Sequence, residues 1–123
     1  MYAELLSMKK IAVLVDYTEG SATALQQASG LAALQGGTVY GVHVLSSAAK
    51  AAEEELKLKA FMDLHVAATV EKVAMVSEGN LAHASYTALK KIDADLVVIC
   101  THGIKGMMQR LFGAHILKLV QAL

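Results

Sequence analysis

The densest run of chemistry-bearing residues is Thr101-His102-Gly103-Ile104-Lys105-Gly106, followed a few positions later by Gly113-Ala114-His115. Glycines let backbone N–H groups turn inward. A helix beginning near Gly113 would add unsatisfied N–H groups and the positive end of its dipole. Together these suit a phosphate, with Lys105 and Arg110 as added charge. Spaced glycines also serve as plain turns, and that reading stands beside the first. Neither G-x-x-x-x-G-K-S/T nor a strand-ending G-x-G-x-x-G occurs, so the two best-known phosphate loops are excluded. The second candidate is Asp16, an acid closing an apolar run. It can accept from a ligand's sugar hydroxyl or base amine, or cap its own loop through backbone N–H groups. Position alone does not choose.

Other polar residues read more plainly. His43 stands in an apolar strand and reads as a hydrogen-bonded core histidine rather than a ligand. His65, His83 and His115 show no metal-like spacing with Cys100, so no metal site is expected. Met107 and Met108 read as gap-filling packing residues. A reactive Cys100 needs a lowered pKa, which a strand end beside a helix dipole can supply but does not establish. No nucleophile–base pair or acid pair is evident, so the residue types do not support turnover.

The elements that must position these groups alternate. Residues 11–16 (IAVLVD) form a short apolar, β-branched run that predicts a buried strand. Thr18 offers a helix N-cap; Ala24, Leu25, Ala28, Leu31 and Ala32 follow at helical spacing, and Gly36-Gly37 supplies the stop. TVYGVHVL at 38–45 is a second strand, with Gly41 its weak point. Residues 48–66 make a second helix, whose Glu53-Glu54-Glu55 run with Lys57 and Lys59 reads as a solvated face. A third strand at 70–76, a third helix from Leu81 to Ile92, and a fourth strand at 96–100 (LVVIC) follow. A fourth helix begins at Ala114. Such βαβαβαβα alternation predicts a three-layer α/β/α domain with a parallel sheet, because parallel strands need crossovers that helices supply. In open sheets of this kind ligands bind outside the carboxyl ends of the strands, where strand order reverses.

Composition narrows the classes. A chain of 123 residues, 55% hydrophobic, predicts one domain with a real core. Eleven basic and 11 acidic side chains give no net charge, which argues against a general nucleic-acid binder. No apolar run approaches the roughly 18 residues of a membrane span, and the first ten residues lack a signal peptide's order. One cysteine excludes an internal disulfide framework and fits a reducing cytoplasm.

Several segments together, VDYTEGSATAL, GVHVL, SEGN, DADLVVICTHGIKG and GAHILKLV, resemble the universal stress protein family over nearly the whole chain. The resemblance implies a parallel sheet of order 3-2-1-4-5. Many members bind ATP through G-x-x-G-x9-G-S/T, while another branch lacks the pattern and does not bind ATP. Here Gly103 and Gly113 match the second and third glycines, whereas Cys100 replaces the first and Ala114 the Ser/Thr. The resemblance further implies that Asp16 lies near the adenosine, with Leu14 and Val15 before it, and that Val44 forms part of the adenine wall. Ile99, His102, Lys105, Gly106, His115 and Ile116 fall on or beside site positions, Ile116 replacing a residue that is often small and polar. Ala114 forfeits a hydroxyl contact of about 0.5–1.5 kcal/mol, and Cys100 adds a side chain where close backbone approach is wanted.

The function the resemblance implies is a cytoplasmic stress-response protein with ATP or another adenine nucleotide as regulatory ligand. Magnesium would enter only through the phosphates. The alternative is a dimerising interaction module with a degenerate pocket; a slow ATP hydrolase ranks third. Family domains end with a fifth strand of the P-V-L-V-V type, and this chain stops at Leu123 with no proline anywhere. The expectation is therefore a domain one strand short, whose residues 96–100 form an open edge that pairs in a homo-oligomer or belong to a longer protein.

Overall fold

The computed structural model describes residues 8–45, 47 and 50–99. Their elements run β1 (Lys10–Leu14), α1 (Glu19–Gln35), β2 (Thr38–Leu45), α2 (Ala51–His65), β3 (Glu71–Glu78), α3 (Leu81–Ile92) and β4 (Leu96–Val98). The four strands are parallel in the order β3-β2-β1-β4. This is the expected α/β sheet over its first four strands. The segment after Ile99, with its expected fourth helix, lies outside the described residues.

Strand alternation sorts the core into two layers. Ile11, Val13, Val15, Val39 and Leu96 face α1 and α2, where they meet Leu25, Ala28, Leu58 and Met62. Ala12, Leu14, Val42 and Val97 face the other way and meet Ala88, Leu89 and Ile92 of α3. Burying a side chain as completely as Ile11 contributes about 1.5–3 kcal/mol. From β1 the chain steps outward through β2 to β3, then crosses back to β4 on the far side of β1. Keeping one crossover hand while reversing direction forces α3 onto the opposite face from α1 and α2. The reversal point lies between β1 and β4.

Local chemistry sets the helix ends. Thr18 caps α1 by accepting from the Ser21 N–H, a contact worth about 1 kcal/mol. Asn80 caps α3 by accepting from Ala82 and His83 N–H groups. Asp93, with φ 57°, ends α3 in the left-handed region that Asp tolerates better than most residues. The second helix starts at Ala51 rather than 48, without a side-chain cap, and Glu53 and Glu54 in its first turn favour the positive dipole end instead.

Strand boundaries move from the sequence reading as well. The first strand stops at Leu14 instead of 16, the third shifts to Glu71–Glu78, and the described part of the fourth ends at Val98. Gly41 is not a weak point: a Cβ there would stand 2.5 Å from Met62 Sδ, so its bareness is what admits the methionine against the sheet. Glu54 also leaves the solvated face expected of the acidic run, since it is half-buried beside His43.

Candidate functional site

At the carboxyl end of β1 the chain leaves the sheet through Val15, Asp16 and Tyr17. Val15 N–H still donates to the Val42 carbonyl (2.7 Å), and its buried side chain belongs to the α1/α2 core. Its carbonyl accepts from His43 Nδ1 (2.7 Å). A carbonyl has no hydrogen to give, so Nδ1 carries the proton. Tyr17 then adopts φ 64°, uncommon for a bulky side chain.

Asp16 closes a ring of hydrogen bonds over this turn. Its Oδ1 accepts from Thr18 N–H (3.1 Å), from the Thr18 hydroxyl and from the Ser21 hydroxyl. Asp16 N–H in turn donates to Ser21 Oγ (2.8 Å). The loop-capping role left open by the sequence is therefore filled, and filled through Oδ1; none of these bonds uses Oδ2. Partial burial works against the carboxylate charge, but bonds from Ser21 and Thr18 outweigh it and hold the carboxyl below its ordinary 3.8.

Around the turn lies a row of rings that sequence reasoning missed. His43 packs on Tyr17 (centroids 4.7 Å), Tyr17 meets Phe61 edge-on (5.2 Å), and Phe61 meets His65 (4.7 Å). Lys57 Nζ stands 4.3 Å over the Tyr17 ring, and Glu54 Oε2 lies 3.8 Å from His43 Nε2. Among the described residues the Tyr17 hydroxyl is buried with no hydrogen bond of normal geometry, and Glu54 is the polar side chain that acts on it. Burial first, then the negative charge of Glu54, pushes its pKa up to about 12. The available signal was the spacing of Glu54, Lys57, Phe61 and His65, which at steps of three and four makes one helix stripe. His43 fits the expectation of a hydrogen-bonded histidine.

On the opposite face Leu14 and Ile99 lie in the α3 layer. Val44, two positions beyond Val42, alternates onto that face too. Leu14 of β1, Val44 of β2 and Ile99 just after β4 thus share one face of the sheet, and Asp16 follows two positions after Leu14. Cys100, His102, Gly103, Lys105, Gly106, Gly113, Ala114, His115 and Ile116 lie outside the described residues. Among the described residues no three His, Cys, Asp or Glu side chains stand together as metal ligands, and no helix is long and apolar enough to cross a membrane.

The sequence model of the Universal stress protein family matches residues 8–123. The chain belongs to the universal stress protein family. No curated protein sequence matches it significantly. Solved structures agree on the fold. A universal stress protein in complex with cAMP is 17% identical with a TM-score of 0.64, over 94% of this chain and 89% of its own. Another from Archaeoglobus fulgidus, in complex with dAMP, is 20% identical with a TM-score of 0.63, over 84% and 88%. A third, from Archaeoglobus fulgidus DSM 4304, is 18% identical with a TM-score of 0.61 over 79% of this chain, which spans only 34% of that relative's length. The strand order β3-β2-β1-β4 is the family sheet over the described strands.

Proposed function

We propose that this universal stress protein binds an adenine nucleotide as a regulatory ligand, at the carboxyl ends of β1 and β4. The observation that carries the reading is Asp16: an acid held in its charged form at the reversal point of the sheet, with Oδ2 outside the ring that binds Oδ1. A carboxylate so placed can accept from a ribose hydroxyl or the adenine amine. Leu14, Val44 and Ile99 supply an apolar wall on the same face for a base. Relatives in complex with cAMP and dAMP support an adenine nucleotide as the ligand class. The phosphates fall to the glycine-spaced segment around Gly103 and Gly113, where Ala114 offers no hydroxyl. Affinity for the adenosine end should then exceed what the phosphates add.

Calorimetric titration with AMP, cAMP and ATP tests this, together with analysis of the supernatant of denatured protein for co-purified nucleotide. Binding of AMP and ATP at similar affinity is expected, and Ala114→Ser should favour ATP by about 0.5–1.5 kcal/mol. Absence of heat at millimolar nucleotide, with none co-purifying, would leave the interaction-module reading. Strand β4 is an outer strand among the described residues, which supports self-association along that edge. Sedimentation analysis measures it, a dimer being the expected species.

A further inference from the structure

In the register that pairs Leu14 with Val42, a continued parallel ladder would give the Val15 carbonyl a backbone donor from β2. It receives the His43 imidazole N–H instead, at 2.7 Å. The strand stops there, and the next two residues turn out of the sheet. The same ring packs against Tyr17, whose left-handed backbone needs holding in place. His43 therefore grips the chain on both sides of Asp16: the carbonyl immediately before it and the side chain immediately after it. Glu54, 3.8 Å from Nε2, flanks the imidazole's other edge, while Lys57 and Phe61 close on the Tyr17 ring. Among the described residues the Asp16 carboxylate bonds to Thr18 and Ser21 and to none of these groups.

We propose that His43 is a positioning residue for Asp16, its Nδ1–H replacing a ladder bond so that β1 ends in the turn that presents the carboxylate to a ligand. The proposal refines the nucleotide reading but has its own observable. Three variants separate the donor from mere bulk. His43→Leu removes it. His43→Asn sets an amide N–H close to the place of Nδ1, and His43→Gln sets one near Nε2, toward Glu54.

Carbon NMR of the Asp16 carboxyl through an acid titration, with amide exchange over residues 15–18, reads the turn without any nucleotide. The Asp16 midpoint should rise toward the ordinary carboxylate value and exchange should quicken in His43→Leu and His43→Gln. Both should return toward the parent in His43→Asn. AMP affinity should fall roughly three- to tenfold in the first two variants and recover in the third.

An unmoved Asp16 titration in a folded His43→Leu protein overturns the proposal. So does an equal displacement in His43→Asn and His43→Gln, which would make the ring a packing element only. If His43→Leu does not fold, the Asn–Gln comparison decides alone. If the parent protein binds no AMP, the nucleotide reading fails while the titration still judges the positioning role.

Discussion

Asp95 and Asp16 stand at opposite ends of adjacent strands and commit their oxygens in different ways. Asp95, just before β4, accepts from the Lys9 and Lys10 N–H groups at 3.0 and 2.9 Å, and its own N–H donates to the Lys10 carbonyl at 2.8 Å. Those partners are more than 80 residues away in the chain, so the bonds exist only when β1 and β4 lie side by side. Asp16 bonds to residues no more than five positions away. Asp95 stitches the amino end of the sheet across strands; the Asp16 carboxylate holds a local turn at the carboxyl end. A local turn can hold a charged group at a crevice without closing the crevice over it, which is what a ligand site needs and a structural staple does not.

The largest test of this contrast is Gly37→Ala, at the amino end. A Cβ there would come 2.6 Å from the Lys9 carbonyl oxygen, which already accepts from Thr38 N–H at 2.7 Å. Backbone against backbone cannot yield cheaply, so thermal or urea unfolding should show a loss of about 2–3 kcal/mol. Asp95→Ala comes next, at about 2 kcal/mol, because two N–H groups lose a charged acceptor. AMP affinity should stay at the parent value in that variant. An Asp95→Ala loss smaller than that of Asp16→Asn would break the comparison.

Asp16→Asn should cost about 1 kcal/mol at neutral pH, through a weakened turn and cap, and should weaken AMP binding. The sign with pH follows from the lowered folded-state value. The carboxylate's stabilisation is complete well above the ordinary 3.8 and is lost as pH falls below it, so the parent and variant unfolding curves should converge in acid. The smallest effect belongs to Tyr17→Phe, within about 0.5 kcal/mol at neutral pH, because the hydroxyl removed is buried and makes no hydrogen bond of normal geometry among the described residues. Its mark appears in alkali. The folded hydroxyl ionises at about 12 against an ordinary 10.0, so the parent should lose stability as pH rises between those values while Tyr17→Phe does not.

The alternation of apolar runs and helical stripes determined the layers, the parallel sheet and three helix ends, because periodicity and caps are properties of neighbouring residues. Thr18, Asn80 and the Asp93 stop act within a turn, and each is visible as a residue type at a helix boundary. The family resemblance added the location of Asp16. What the chain could not disclose on its own was which of two roles Asp16 fills, since that depends on where Ser21 and Thr18 bring their hydroxyls once α1 packs. Nor could it disclose the His43–Tyr17–Phe61 row, whose members come from a strand, a turn and a helix up to 44 positions apart. Gly41 looked like a flaw until Met62 filled the space above it. Local sequence determined the elements; only the tertiary structure brought a histidine of β2 onto the Val15 carbonyl where the first strand ends, because that bond joins residues 28 positions apart.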